Sequence, residues 1–86
     1  MENKKVYVII GGKWFDKVNG NTYNSAKIID TESGERFYTR FAYGYGNAYL
    51  QEARDYIREE LKQDGAKIID GGSFYGKKAE IKNGQF

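Results

Sequence analysis

Cysteine, histidine and proline are all missing from this chain of 86 residues. The absence of cysteine removes disulfides, thiolate nucleophiles and thiolate metal sites. The absence of histidine removes the commonest general base and the commonest ligand of zinc, copper and non-haem iron. Carboxylate, lysine, tyrosine or serine chemistry would have to carry any catalysis. The carboxylates, however, show no spacing suited to metal binding or acid–base work. Glu59 and Glu60 on a helix, and Glu32 and Glu35 in a turn, read as solvated charges. The expectation is a protein that is not an enzyme and holds no cofactor and no metal.

Long apolar runs are also lacking. No stretch of about 18 apolar residues could span a membrane, and no basic n-region with an apolar h-region precedes the chain's first strand-like run. Charge of one sign is scarce too, with 14 basic against 12 acidic side chains. The excess lies in the last twenty residues, where Lys67, Lys77, Lys78 and Lys82 outnumber Asp70 and Glu80. Four lysines there are most simply a solvated tail that can also attract phosphate or an acidic surface. At this length there is room for one domain, residues 1–86. Its core falls at about residues 5–70, and residues 71–86 read as a loosely ordered tail.

Aromatics are abundant instead: eight Tyr, five Phe and one Trp. Tyr and Trp combine an apolar body with a polar handle, so a surplus beyond what a small core holds is expected at an interface. The competing reading is a half-open sheet that uses aromatics as core.

The segment KVYVIIGGKWFDK, Lys5 to Lys17, places Val6, Val8, Ile10 and Trp14 on one parity and Tyr7, Ile9 and Phe15 on the other, which predicts a strand. Gly11–Gly12 inside it signals a bulge or a close approach from a neighbour. Asn19–Gly20 predicts a tight hairpin turn of type I′ into a second strand, Thr22 to Asp30. A turn over Glu32 to Glu35 leads to a third strand, Arg36 to Tyr43. There Phe37, Thr39, Phe41 and Tyr43 alternate with Arg36, Tyr38, Arg40 and Ala42. From Asn47 to about Gln63 the period becomes helical, with Leu50, Ala53, Ile57 and Leu61 flanked by Tyr49 and Tyr56, Asn47 as N-cap and Gly65 as C′ glycine. The pentapeptide AKIID at Ala66 to Asp70 repeats Ala26 to Asp30 and reads as a short edge strand. Residues 79–82 could add another. The fold class is α+β: a three-stranded antiparallel meander packed by one helix, with a short C-terminal strand or tail. The order resembles a double-stranded RNA-binding domain without its first helix, in fold only.

Two constellations stand out. Gly44, Tyr45, Gly46 and Asn47, after Tyr43, join a strand to a helix. Free amides at such a junction can receive a phosphate or carboxylate, but Tyr49 stands where a third glycine would complete a GxGxxG loop, and a tight turn explains the glycines equally well. The second is aromatic and basic: Lys13, Trp14, Phe15, Lys17, Tyr23, Arg36, Tyr38 and Arg40 on the three strands. Rings with arginines on a sheet face stack single-stranded nucleic acid or a nucleotide, and they also form protein hot spots. No RNP consensus is present and the first 66 residues are neutral in charge, so a protein partner is preferred. Nucleic acid is the alternative, and a homodimer through the sheet edge or the aromatic face is a third reading.

The strings KWFDKVNGNTYNSAKI and FAYGYGNAYLQEA resemble small, mostly uncharacterised accessory proteins of bacteriophages and prophages, over about Val6 to Ala53. Trp14, Phe15, Gly20, Asn21, Thr22, Tyr23, Tyr43, Gly44, Tyr45, Gly46 and Tyr49 carry the likeness. The resemblance implies a phage protein working in the cytoplasm of a bacterial host. Its class includes inhibitors of host defence enzymes and nucleic-acid-binding regulators.

Overall fold

The computed structural model describes residues 5–86. Their order is β1 (Val6–Asp16), β2 (Asn21–Asp30), β3 (Arg36–Tyr38), β4 (Ala42–Tyr43), α1 (Ala48–Glu59), β5 (Lys67–Tyr75) and α2 (Lys78–Lys82). This is a small α+β domain with a mixed sheet and one main helix. Along the sheet the order is β3-β2-β1-β5, with β4 also pairing to β2.

β1 and β2 form a long antiparallel hairpin whose ladder runs from Tyr7 opposite Asp30 to Asp16 opposite Asn21. The connection is a loop over residues 17–20 and not the tight type I′ turn expected from Asn19–Gly20. The reason is Asp16, whose carboxylate accepts the N–H groups of Val18 and Asn19 at 3.0 and 3.3 Å and the Asn19 side-chain amide at 2.8 Å. These local bonds widen the turn, and of the two central residues only Gly20 takes a positive φ, +70°.

The third strand is broken. Tyr38 pairs with Lys27 and Ala42 with Asn24, so four steps along one strand meet three along the other. The surplus residue makes a bulge that reverses side-chain parity. Thr39 fastens it by donating its N–H to the Ala26 carbonyl at 2.9 Å and accepting the Ala26 N–H on Oγ1 at 2.8 Å. The unbroken alternation expected over Arg36 to Tyr43 is therefore corrected: Phe37 lies on the α1 side, whereas Phe41 and Tyr43 lie on the opposite side.

α1 carries the chain from β4, beside β2, to β5, beside β1. β4 runs antiparallel to β2 and hence in the direction of β1. A helix reverses the chain and the next strand reverses it again, so β5 emerges parallel to β1. β5 extends beyond the expected Asp70 to Tyr75, with a register shift opposite Ile9 to Gly11. Residues 71–75, read from the sequence as the start of a loose tail, thus belong to the sheet. Residues 79–82, weighed as a strand, lie in α2, with Lys77 donating its N–H to Glu80 at 2.9 Å. The chain past α1 departs from the double-stranded RNA-binding order, because α2 packs on the face opposite α1.

α1 ends earlier than expected, its C-cap being Glu60 and not a residue beside Gly65, because Lys62 turns to φ +56°. Asn47 holds the N-cap position without a side-chain capping bond. The helix buries Tyr49, Ala53 and Ile57 against Tyr7, Ile9, Ala26 and Ile28, and this is the main core. A second, smaller layer covers the other face. Ile81 of α2 is wholly buried there, and Ser25 donates its hydroxyl to the Ile81 carbonyl at 2.9 Å.

Candidate functional site

On the face opposite α1, at the end near the β1–β2 loop, the rings form a row. Strand parity aligns Trp14 of β1 with Tyr23 of β2, and their centroids lie 5.7 Å apart. The bulge then delivers Phe41 onto Tyr23, stacked at 5.3 Å and 11°. Tyr43, opposite Tyr23 in the ladder, meets it edge-on at 5.8 Å. Tyr45, in the turn after β4, meets Tyr43 edge-on at 5.2 Å. Tyr45 also donates a long 3.5 Å bond to Asn21. The result is five contiguous rings from three stretches of chain. Trp14, Tyr23 and Phe41 are half-buried, while Tyr43 and Tyr45 are 56% and 54% exposed. Apolar area of this kind left in water is the usual mark of a contact surface. The neighbouring Tyr45 and burial among the rings hold the Tyr43 hydroxyl above the ordinary tyrosine range.

A cation borders the row: the Lys78 ammonium of α2 lies 5.2 Å from the Trp14 ring centroid. Asp16, which feels the Lys78 charge, is committed to the loop, and its hydrogen bonds from Asn19 and Val18 hold it below the usual aspartate range.

The residues expected at the site divide. Trp14, Tyr23, Tyr43 and Tyr45 are in the row. Arg36 and Tyr38 share its face but lie farther along β3, where the Tyr38 ring rests on Gly84. Lys13 and Phe15 have the other parity and lie on the α1 side, with the Lys13 ammonium 5.7 Å from the Tyr49 ring and 5.9 Å from the Tyr75 ring. Arg40 is on the bulge, in an open groove of about 730 Å³ between α1 and the strand edge, together with Glu52, Asp55, Tyr56 and Glu59. There burial holds the Glu52 carboxyl above its ordinary range, against the opposing pull of Thr39 and Arg40. Gly44, Gly46 and Asn47 form the tight junction into α1. A Cβ on Gly44 would stand 2.9 Å from both Ala48 and the Asn24 amide, Gly46 takes φ +60°, and the Ala48 N–H already bonds the Tyr45 carbonyl.

Phe41 and Lys78 are the members that sequence reading missed. Phe41 was hidden by the bulge, which no local pattern announced. Lys78 was hidden in a tail read as solvated.

Among the described residues no group of acidic side chains is arranged to hold a metal ion, and no helix is long and apolar enough to cross a membrane. Compared with protein-family models, curated proteins and solved structures, the chain finds no match in any of the three. Its function has to be sought in the geometry.

Proposed function

We propose that this is a small, non-enzymatic binding protein that modulates a host protein through the row Trp14, Tyr23, Phe41, Tyr43 and Tyr45. The observation that carries the reading is the row itself: five touching rings with two tyrosines more than half exposed at its outer end. Rigid aromatics offer large contact area at low entropic cost, and anchors of this kind dominate protein interfaces. The likeness to phage accessory proteins supplies the host as the source of the partner. The test is capture of a host protein by the full chain and by Tyr43→Ala/Tyr45→Ala. Loss of capture with unchanged circular dichroism supports the reading, and equal capture by both overturns it.

A second reading, binding of single-stranded nucleic acid, draws on Lys78 over Trp14 and on Lys77 and Lys82 in the same segment. Base stacking needs open ring faces. Tyr23 and Phe41 spend theirs on each other at 11°, which favours the protein partner. The nucleic-acid reading requires Trp14 quenching by short oligonucleotides that weakens steeply with salt.

A further inference from the structure

Residues 77–86 bind the sheet across the face that carries the row. α2 is five residues long, too short to be stable by itself, so its shape depends on what it touches. Its anchors are few and specific. Ile81 is the buried residue of the segment, and its carbonyl accepts the Ser25 hydroxyl. Gly84 slides under Tyr38, where a Cβ would stand 2.7 Å from the ring. Phe86 lies on Gly12, and Lys27 donates to the Phe86 carbonyl with its ammonium 5.2 Å from the Phe86 ring centroid. The segment's own amides close on themselves: Ile81 bonds Lys77, Asn83 bonds Ala79 and Gln85 bonds Glu80. None of its backbone joins the sheet ladder. Its first helical residue, Lys78, stands over Trp14 at the inner end of the row.

We infer that residues 77–86 are a self-docking strap that opens apart from the rest of the fold and, when closed, masks Trp14. The inference rests on the reading of the aromatic row as the contact surface. A strap with no backbone-to-backbone bond to the sheet is a separate cooperative unit, whereas β1 and β2 share one ladder and pack with α1 in one core. Opening removes Lys78 from Trp14 and frees the strip from Gly12 to Lys27, so the full contact surface is present only in the open state. A partner that needs Trp14 then binds with an affinity reduced by the fraction of chains in which the strap is closed.

Two measurements on the full chain test this without any partner. The first is amide hydrogen exchange of the unaltered protein. The strap amides of Ile81, Asn83 and Gln85 are expected to exchange about tenfold or more faster than those of Ile9 and Ile28 in the hairpin. Exchange of both sets at one common rate overturns the proposal. The second is acrylamide quenching of the lone Trp14. Ile81→Ala is expected to raise the quenching constant and leave exchange at Ile9 and Ile28 unaltered. No change in quenching overturns the proposal, as does loss of the whole fold, which would put Ile81 in the main cooperative unit. The interface reading fails separately: a strap that opens as expected, together with capture that ignores Tyr43→Ala/Tyr45→Ala, leaves the strap and removes the row's assigned role.

Discussion

Tyr49 and Phe86 press on adjacent residues of one strand from opposite sides of the sheet. The Tyr49 ring lies on Gly11, where a Cβ would stand 2.6 Å from Cγ, and the Phe86 ring lies on Gly12, where it would stand 2.7 Å from Cδ1. Successive residues of a strand face opposite ways, so a glycine pair thins the sheet on both faces at one point. Tyr49 is fixed there by its hydroxyl, which donates to Asp70 at 2.8 Å on the neighbouring strand.

From this follows an asymmetry between two similar substitutions. Gly11→Ala drives a methyl into a ring that is 3% exposed and tethered, and it is expected to cost about 1–3 kcal/mol. Gly12→Ala meets the Phe86 ring of the strap, which lifts when the strap opens, and it is expected to cost about 1 kcal/mol or less. Urea denaturation of the two variants checks this. Equal losses would mean that Phe86 is held as firmly as Tyr49, which would also count against a separately opening strap.

Acid sensitivity is set by carboxylates that the fold holds ionised. Asp30 accepts the N–H groups of Glu32 and Ser33 and the Lys5 ammonium at 3.0 Å, and these bonds lower its pKa. Asp70 is lowered by the Gly72 N–H and the Tyr49 hydroxyl. A depressed folded value means that the stabilisation is complete above the unfolded pKa, about 3.9, and is lost as pH falls through the folded value. Asp30→Asn keeps an acceptor for the turn but loses the charge. Its stability is expected to be lower at pH 7 and its acid limb flatter below about pH 4, measured by thermal unfolding across pH.

Glu52 has the opposite sign. Burial raises its pKa, so the ionised form is a burden above the folded value, and the burden disappears once the unfolded carboxyl is also protonated. Glu52→Gln is expected to stabilise the protein at pH 7 by roughly a few tenths of a kcal/mol, because the group is partly solvated and screened. The gain should vanish at acid pH. A loss of stability at pH 7 would show that the bonds from Thr39 and the attraction of Arg40 outweigh desolvation.

Much of this architecture was legible because single strands and one helix announce themselves by period. Leu50, Ala53 and Ile57 at helical spacing marked the stripe that α1 buries, whereas β1 is apolar on both parities and nothing local says that the helix covers the side of Tyr7 and Ile9. The repeated AKIID was legible as strand but not as a relation. Its two copies flank β1 on either side, Ile28 opposite Ile9 in β2 and Ile68 beside Tyr7 in β5. Asp30 and Asp70 hold the same place in the two copies, and each accepts a side-chain bond, from Lys5 and from Tyr49. The site was less legible because parity is a non-local property. One surplus residue between Tyr38 and Ala42 exchanged Arg40 for Phe41 on the row's face, and nothing in RFYTRFAY marks where that residue falls. The tail misled for another reason: five lysine-flanked residues have weak intrinsic helicity, and they became α2 only because Ser25 and Gly12 leave room for Ile81 and Phe86.

Within the row, stability and binding should separate by ring. Tyr23 touches Trp14, Phe41 and Tyr43, so Tyr23→Ala removes the shared neighbour of three rings and is expected to cost about 2 kcal/mol or more, near the lower range for aromatic truncations because the site is half-buried. Tyr43→Ala and Tyr45→Ala remove exposed rings at the outer end, and each is expected to fall within about 0.5 kcal/mol of the parent. Chemical denaturation of the three variants checks the division. If Tyr43→Ala is as costly as Tyr23→Ala, the outer rings are holding β4 to β2, and their exposure has a structural cause. If the division holds, Tyr43 and Tyr45 are kept in water at no benefit to the fold, and binding is what remains to account for them.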